Sequence, residues 1–478
     1  MRPQRYPVRR ILAASILLAV VLMLFAPSAA RSGETLIVHE WGTFTSFQDA
    51  AGATIPGINV DDEPVPSFVH RLPGFPIRRA GAYPARWSQG APSCHADVTL
   101  RLETPVLYFY PRSGFRFDEP IDVEASFPGG WLTEFYPAAV VDVPGFPGQL
   151  TTSARGSLSW RALKISPEPS GNLPSTSERV WLAPREVQSA LITTADGKES
   201  EKYLFYRGVG RLDAPLIVRQ GEDALTVALR DGDALKALPP SWLVRVLPDG
   251  RVWYRRLNPD ADSREVVLPL PRDEAVGAGA ILPALRRELA GALVAQGLYA
   301  DEAQAMLETW QLSYFASEGL RLFFLLPQTW TDTHLPLAVS VPAEVTRVMM
   351  GRIELISATA RGTLAKLQAL PAEALEVTPL YVDLLSASAD LSKEQRAQTS
   401  RSVMHRLRDQ SGSHAEFYRA FGREVPEPLR LYDSLGRFRD ALIAHEWRTA
   451  RDESMRARLK GIIDTFSSCV PAERVASQ

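Results

Sequence analysis

The sequence predicts an α+β fold in which an N-terminal antiparallel β-sandwich-like domain is followed by a mixed, mainly helical C-terminal domain. Two observations support this prediction. Up to residue 272, short runs of alternating apolar and polar residues are separated by turns rich in glycine and proline, as in proteins with many antiparallel strands. After residue 280, apolar residues recur at helical spacing. We therefore expect a signal peptide at 1–30, a β-rich domain at 34–272 and an α+β domain at 280–468 with a helical C-terminal part.

The N-terminus has the three parts of a secretory signal peptide. Residues 1–10 carry four arginines and no acidic residue, residues 11–25 form an apolar run, and small residues precede an expected cleavage after Ala30. If cleavage fails, residues 11–30 are about long enough to span a bilayer and would tether the chain. The signal predicts an exported protein, periplasmic or secreted, with no other contact with the membrane.

The length and the charge of the chain limit the classes of protein to which it can belong. The 478 residues are 45% hydrophobic, which is enough for one large or two ordinary domains. The 53 Lys and Arg residues nearly balance the 55 Asp and Glu residues, for a net charge of -2, and the two signs are interspersed. Such a chain lacks the basic surface that nucleic-acid binding requires. We expect no nucleic-acid partner, and the sequence identifies no other partner.

The strand expected at 36–47 contains the densest run of polar and aromatic residues near the mature N-terminus. Because side chains alternate along a strand, His39 and Trp41 share one face and Glu40 points to the other. Other strands are expected at 98–110, 121–127, 131–136, 158–165, 202–207, 225–229 and 265–270, with a hairpin at 242–255. Later in the chain we expect helices at 281–296, 301–317, 360–370, 392–409 and 429–466, and strands at 320–327 and 348–356.

Five residues are candidates for catalysis: His39, Glu40, His70, Glu103 and Glu134. Glu103 and Glu134 interrupt otherwise apolar strands, and acid–base or glycosidic chemistry requires such a pair of carboxylates. The alternative for both is an outward-facing strand position. Common signatures such as G-x-S-x-G, H-E-x-x-H and the P-loop are absent from the sequence. Catalysis is not excluded, because triads assemble from residues far apart in the chain.

Three residues are candidates for ligand binding: Trp41, Arg207 and Arg211. Trp41 and His39 could line a pocket, although core packing gives the same pattern. Arg207 and Arg211 lie in a run of aromatic residues and glycines, and their guanidinium groups suit an anionic ligand. The alternative is a strand with a glycine bulge.

One acidic triplet is a candidate metal site. Asp61, Asp62 and Glu63 could supply oxygen ligands to a hard cation such as calcium. The alternative is a solvated turn whose carboxylates cap the segment that follows, since the triplet lacks the spaced ligands of a known calcium loop. The sequence identifies no other cofactor.

The two cysteines, Cys94 and Cys469, are candidates for a disulfide. In an oxidising compartment this bond would close nearly the whole mature chain into a loop. The alternative is two separate thiols, because spacing along the chain does not show whether two Cα atoms come within reach.

Four strings resemble an uncharacterised family of large exported bacterial proteins with a conspicuous motif after the signal peptide. They are His-Glu-Trp-Gly-Thr-Phe-Thr at 39–45, Asp-Asp-Glu-Pro-Val-Pro at 61–66, Glu-Thr-Pro-Val-Leu-Tyr-Phe-Tyr at 103–110 and Phe-Tyr-Arg-Gly-Val-Gly at 205–210. The resemblance covers most of the mature chain. It implies export and a whole-chain architecture, and no activity comes with it.

The sequence leads to three hypotheses about function. The first is an exported soluble protein that binds ligands or serves structural interactions in the cell envelope or exterior. The second is a carboxylate-dependent hydrolase of an extracellular polymer. The third is a membrane-tethered envelope scaffold. Convergence of the candidate carboxylates and histidines in one pocket would favour the hydrolase.

Overall fold

A computed structural model gives the fold of the chain. It describes residues 35–60, 65–72, 87–88, 90–167, 173–232, 235–247, 249–260, 262–269, 281–375, 392, 394–395 and 424–467. The strands of the described residues are β1 (Leu36–Gln48), β2 (His70–Arg71), β3 (Trp87–Ser88), β4 (Ala91–Pro92), β5 (Leu100–Pro111), β6 (Ile121–Pro128), β7 (Gly130–Tyr136), β8 (Val140–Asp142), β9 (Arg155–Ser166), β10 (Leu191–Thr193), β11 (Ser200–Glu201), β12 (Leu204–Gly210), β13 (Leu216–Gln220), β14 (Ala224–Leu229), β15 (Ser241–Val246), β16 (Val252–Leu257), β17 (Glu265–Pro269), β18 (Gly319–Leu326), β19 (Leu337–Val339) and β20 (Ala343–Leu355).

The helices of the described residues follow the same order. They are α1 (Arg179–Arg185), α2 (Ile281–Ala295), α3 (Ala300–Thr309), a π-helix (Gln311–Ala316), α4 (Gln328–His334), α5 (Ala358–Ala369), α6 (Ala372–Leu375), α7 (Glu427–Asp433), α8 (Arg439–Thr449) and α9 (Glu453–Phe466). The chain thus has the mixed α+β composition that the sequence predicts.

β1 is the central strand of the largest sheet, whose strand order is β16-β15-β18-β20-β1-β5-β12-β7-β2. One face of this sheet packs against a second sheet with the order β11-β10-β9-β6-β19, and their shared core includes Val38, Phe44, Val123 and Trp160. This pair of sheets forms the sandwich-like part of the fold, in which inward-facing residues of both sheets interdigitate.

The other face of the large sheet is covered by helices and carries two apolar cores. The first core lies under α2, α3 and the π-helix and includes Trp41, Leu289 and Trp310. The second lies under α5, α7, α8 and α9 and includes Phe47 and Ile463. α2 docks as the sequence predicts, because Leu285, Leu289 and Leu293 recur at helical spacing and are fully buried.

The predicted division at residues 272–280 does not separate two sheets. β18 and β20 come from the predicted C-terminal domain, yet they lie between β15 and β1 in the large sheet. β20 pairs in parallel with β1 along its whole length, from Leu36 opposite Ala343 to Gln48 opposite Leu355. The large sheet is therefore mixed rather than antiparallel. Local pattern could not reveal this pairing, since the two strands are about 300 residues apart.

The prediction of a single helix at 429–466 is wrong. The structure has α7, α8 and α9 in its place. Gly436, between α7 and α8, has a φ of +89°, which favours glycine and is not helical. The Asp452 side chain accepts a hydrogen bond from the Met455 amide at the start of α9. The helix expected at 301–317 similarly divides into α3 and the π-helix. Most of the helix expected at 392–409 lies outside the described residues.

Within the described ranges, no helix is long and apolar enough to span a membrane.

Candidate functional site

The His39–Thr45 segment of β1 alternates as predicted. His39, Trp41 and Thr43 face the helices, where they contact Glu302, Trp310 and Tyr314 respectively. The helix α3 and the π-helix thus run along this segment of β1. Trp41 is fully buried, with its ring centroid 5.3 Å from that of Trp310. It belongs to the first apolar core, where its indole packs against other aromatic rings.

Glu40 lies on the opposite face of β1, between the sheets. Arg347 donates a hydrogen bond from Nε to Glu40 Oε2 at 2.6 Å, and the Tyr206 hydroxyl donates to Oε1. Both Glu40 and Arg347 are buried. Glu40 therefore acts as one half of a buried ion pair, and it does not meet the other candidate acids on the helical face.

A charged belt crosses the helical face of the large sheet, between its two apolar cores. On β12 and β7, the belt residues Arg207 and Glu134 lie between one residue of the first core and one of the second. β1 has the same order: Trp41 lies in the first core, Phe47 lies in the second core, and the Thr45 hydroxyl between them donates a hydrogen bond to the belt residue Glu103. The belt consists of Arg71, Arg101, Glu103, Glu134, Arg207, Arg321, Arg352, Glu354 and Arg437.

Strand pairing explains why the belt is continuous. Thr45 of β1 is opposite Arg101 on one side and Arg352 on the other. Further across the sheet, Glu134 is opposite Arg207 and Arg71 on the strands to either side. Residues at the same level of neighbouring strands are about 5 Å apart, which is within reach of long polar side chains.

Glu134 and Glu103 are each held by two arginines. Arg71 Nε lies 2.7 Å from Glu134 Oε1, and Arg207 Nε contacts Oε2. Arg437 Nη2 donates to Glu103 Oε1 at 2.6 Å, and Arg101 Nη2 lies 3.2 Å from the same oxygen. Both glutamates are buried, so the alternative of outward-facing strand positions is wrong for both. Buried carboxylates need such partners because desolvation of a single charge is costly.

Glu354 is the third carboxylate of the belt. Arg352 Nε donates to its Oε1 at 2.6 Å, and Arg321 Nε lies 3.0 Å from the same oxygen. Burial alone would raise the pKa of Glu354, but the guanidinium groups of Arg321, Arg352 and Arg437 outweigh it and hold this pKa below its usual value. Burial lowers the pKa of Arg321 to about 10, opposed by Glu354 and aided by the neighbouring arginines.

Arg321 and Arg352 also cap the end of the π-helix. Arg321 donates to the carbonyl oxygens of Ser313, Tyr314, Ser317 and Glu318, at 2.9–3.2 Å. Arg352 Nη2 donates to the Ser313 carbonyl at 2.8 Å. The belt thus supplies hydrogen-bond donors to carbonyl groups of the π-helix and of the residues that follow it.

The backbone is irregular where the belt crosses β5 and β12. Thr104, next to Glu103, has a φ of +44°, which is rare for a β-branched residue. Its hydroxyl accepts a hydrogen bond from Trp310 Nε1 at 2.9 Å. The register shifts between Phe205 and Gly208 of β12, next to Arg207. Bulges of this kind re-aim side chains and are common beside binding and active sites.

A cleft opens at one end of the belt, where β20 meets α5 and the loop before α8. The cleft is small, with about 40 Å³ of space that water-sized molecules can reach. Its walls include Phe47, Glu318, Glu354, Ser357, Arg437 and Phe438. Two charged belt residues, Glu354 and Arg437, therefore reach a concave surface.

His39 belongs to a separate buried group near the start of β1. Its Nδ1 lies 2.8 Å from Glu302 Oε2, and the Tyr110 hydroxyl donates to Glu302 Oε1 at 2.7 Å. Burial and the neighbouring Glu302 raise the pKa of Tyr110. The rings of Tyr110 and Tyr299 lie 5.3 and 4.6 Å from the imidazole. His39 is thus oriented by a carboxylate that the sequence analysis did not identify.

His70 and Arg211 lie apart from these groups. His70 Nε2 contacts Glu199 at 2.8 Å, and its ring stacks on Phe135. Arg211 Nη1 lies 3.3 Å from Asp97 Oδ1 with about a third of its side chain exposed. The structure therefore brings Glu103, Glu134 and Arg207 together in the belt, and it leaves His39, Glu40, His70 and Arg211 elsewhere.

The candidate metal ligands Asp61, Asp62 and Glu63 lie outside the described residues. Among the residues that the structure does describe, no group of three or more His, Cys, Asp or Glu side chains is arranged to hold a metal ion. Cys94 is disulfide-bonded, and the other cysteine of the chain, Cys469, lies outside the described ranges. Their pairing stays a prediction.

Sequence reasoning missed Arg321, Arg347, Arg352, Glu354 and Arg437. A signal for three of them was present, because Arg321, Arg352 and Glu354 interrupt the apolar strands expected at 320–327 and 348–356. A charge in a buried strand implies a charged partner. Arg437 gave no comparable signal, since it lies in a loop.

No protein-family model matches the chain, and no curated protein matches it. The resemblance to exported bacterial proteins stays a prediction.

Proposed function

We propose that the chain is a binding or structural-interaction protein of the cell envelope or exterior. The observation that supports this proposal is that the carboxylate oxygens of Glu103 and Glu134 already have partners within the protein. Both oxygens of Glu134 face guanidinium groups, and both oxygens of Glu103 face an arginine or the Thr45 hydroxyl. A general acid or base needs an oxygen within reach of its substrate. Carboxylates engaged in this way serve architecture and electrostatics better than proton transfer.

The test measures both the retention of the chain on a polymer and the cleavage of that polymer. The chain, produced with its own signal peptide and recovered from the exported fraction, is incubated with insoluble extracellular polysaccharides and proteins. We expect it to be retained on a polymer without releasing soluble fragments. Cleavage that falls at least a hundredfold in Glu103→Gln or Glu134→Gln, with the melting temperature unchanged, would overturn the proposal and support a carboxylate-dependent hydrolase. Glu119→Gln is the matched control, because Glu119 is an exposed carboxylate outside the belt.

The hydrolase alternative has one observation in its favour. His39 is held through Nδ1 by Glu302, which is how a carboxylate orients a histidine base for catalysis, and no side chain of the described residues hydrogen-bonds its Nε2. If this pair is catalytic, His39→Ala abolishes polymer cleavage and Glu302→Gln reduces it. If the protein only binds, both variants change stability and leave retention on the polymer intact.

Export and anchoring are part of the same proposal. The signal peptide at 1–30 supports a mature chain that begins at Arg31. N-terminal sequencing of the exported protein tests this. Recovery of residues 11–30 in the mature protein would support the membrane-tethered scaffold instead.

A further inference from the structure

One buried glutamate differs from the others in its basic partner. The described residues include six buried glutamates. Five of them contact an arginine, in the pairs Glu40–Arg347, Glu103–Arg437, Glu134–Arg207, Glu201–Arg185 and Glu354–Arg352. The sixth, Glu302, contacts His39. Arginine stays charged in proteins, whereas the charge of a histidine ordinarily changes between pH 5 and 8. The contact between His39 and Glu302 is therefore the one among these six that pH can change.

The Glu302 carboxylate lies at the start of α3, where three groups meet it. Its Oε2 accepts a hydrogen bond from the Tyr299 amide at 2.6 Å and lies 2.8 Å from His39 Nδ1. Its Oε1 accepts a hydrogen bond from the Tyr110 hydroxyl at 2.7 Å. A carboxylate that accepts from three donors needs no proton of its own. Glu302 therefore ties β1, through His39, and β5, through Tyr110, to the first turn of α3.

Protonation of this contact takes place at Nε2 of His39. In the neutral imidazole, Nδ1 carries the hydrogen that it donates to Glu302, and so a second proton binds Nε2. No group of the described residues is hydrogen-bonded to Nε2. The imidazole packs against the ring of Tyr299, with 4.6 Å between the centroids, and Tyr299 is 42% exposed. The buried imidazole therefore lies directly under a side chain that reaches the surface.

The other titratable and charged groups around His39 ordinarily keep their charge between pH 5 and 8. They are Tyr108 and Tyr110 on β5, Tyr299 and Asp301 at the start of α3, and the exposed pair of Glu344 and Arg112 near the start of β1. Burial and the neighbouring Glu302 raise the pKa of both Tyr108 and Tyr110, and so these two phenols stay protonated. His39 is thus the group of this cluster that changes its charge in that range.

We propose that His39 and Glu302 form a pH-sensitive latch that holds the first turn of α3 on β1. At pH 5 the imidazolium group and Glu302 form a charged hydrogen bond, and at pH 8 neutral His39 donates a weaker one. The imidazolium gains this anionic neighbour only in the folded chain, so by linkage the contact is stronger at acidic pH. Because Ala303 and Met306 of this helix belong to the first apolar core, the latch regulates how firmly that core is covered. The proposal does not depend on the binding function proposed above.

Amide hydrogen exchange of the full exported chain tests the latch, with the amides of Tyr299 and Ala303 as reporters. The first donates to Glu302, and the second donates to the Tyr299 carbonyl in the first turn of α3. After correction for the intrinsic effect of pH on exchange, we expect protection at least about fivefold higher at pH 5 than at pH 8, since hydrogen bonds to charged groups are the stronger ones. Equal protection at the two pH values would overturn the proposal. The same ratio in α9 would also overturn it, because the effect would then belong to the whole chain.

Three variants separate the charges of the latch from its neutral contacts. His39→Asn keeps a neutral donor near the position of Nδ1, and Glu302→Gln removes the charge of the carboxylate. In both we expect the protection of Ala303 to be lower than in the wild type at pH 5 and equal at the two pH values. Tyr110→Phe is the matched control, because it removes a neutral donor from the same carboxylate. It should lower protection at both pH values and keep the ratio.

The variants can also contradict the latch. If His39→Asn keeps the wild-type ratio, His39 is not the group that responds to pH. If Tyr110→Phe loses the ratio, the effect does not come from the two charges, which that variant leaves in place. If either charge variant fails to fold, the ratio in the wild type and in Tyr110→Phe decides the question.

Discussion

Three buried carboxylates on the large sheet, Glu40, Glu103 and Glu134, each contact a cation from a distant part of the chain. Glu40 and Arg347 are 307 residues apart, and Glu103 and Arg437 are 334 residues apart. Replacing a buried ion pair by apolar residues is often harmless, but removing one partner leaves a charge in a low-dielectric interior. We therefore regard these pairs as constraints on which segments pack together, because a wrong pairing would leave a buried charge without a partner.

The Glu40–Arg347 pair gives the first prediction. Arg347→Met removes the cation and leaves Glu40 buried with the Tyr206 hydroxyl as partner. The free energy of unfolding should fall by about 3–5 kcal/mol. Chemical denaturation followed by tryptophan fluorescence measures it. Arg116→Met changes an exposed ion pair and should cost less than about 1 kcal/mol. Equal losses in the two variants would contradict the argument.

The second prediction concerns pH. The neighbouring arginines hold the pKa of Glu354 below its usual value in the folded chain. The ionised carboxylate therefore adds stability that is fully present above the pKa of the unfolded chain, about 4.3, and is lost as the pH falls through the folded value. The stability difference between the wild type and Glu354→Gln should be large at pH 7 and shrink below about pH 4. Denaturation midpoints across that range measure it, and a constant difference would refute it.

The amino-acid composition of β1 is explained by the elements that surround it. It pairs with β20 on one side and β5 on the other, one of its faces meets α3 and the π-helix, and the other meets the second sheet. The His39–Thr45 segment therefore meets a different element on each of its four sides, which explains why it mixes polar and aromatic residues. Fully buried strands of this kind lack the simple apolar and polar alternation of a strand that faces water.

Close approach of β12 and β7 gives the third prediction. A Cβ atom at Gly208 would lie 2.1 Å from the Trp131 carbonyl oxygen, so Gly208→Ala forces the two strands apart. The expected loss is about 1–3 kcal/mol. Gly291→Ala is the matched control, since Gly291 is exposed in α2 with no atom within 4 Å of a new Cβ. It should add about 0.5–1 kcal/mol. Thermal unfolding distinguishes the two signs, and a neutral Gly208→Ala would disprove the contact.

At the scale of the molecule, the C-terminal helices are an integral part of the fold. α7, α8 and α9 complete the second apolar core on the helical face, and Arg437 in the loop before α8 completes the belt. Cys94, at a φ of +55°, is disulfide-bonded. A bond to Cys469 would link the start of the β-rich segment to the end of the chain.

The disulfide gives the fourth prediction. Thiol titration of the denatured exported protein should find no free thiol before reduction and two after it. The Cys94→Ala/Cys469→Ala variant should lose about 2–5 kcal/mol, because the bond closes a very long loop. Cys469→Ala alone should release one reactive thiol, at Cys94. Two thiols in the unreduced protein would contradict the pairing.

From the sequence alone we predict the positions of most strands, the helices α2 and α5, and the alternation along β1. These features depend on local periodicity, and so the predicted faces of His39, Glu40 and Trp41 agree with the structure. The sequence also indicated that Glu103 and Glu134 interrupt apolar strands. Folding in three dimensions brings these carboxylates into one charged belt. Three of their partners, Arg71, Arg207 and Arg437, come from other strands or from a loop far along the chain, and no local pattern specifies which cation a buried carboxylate meets.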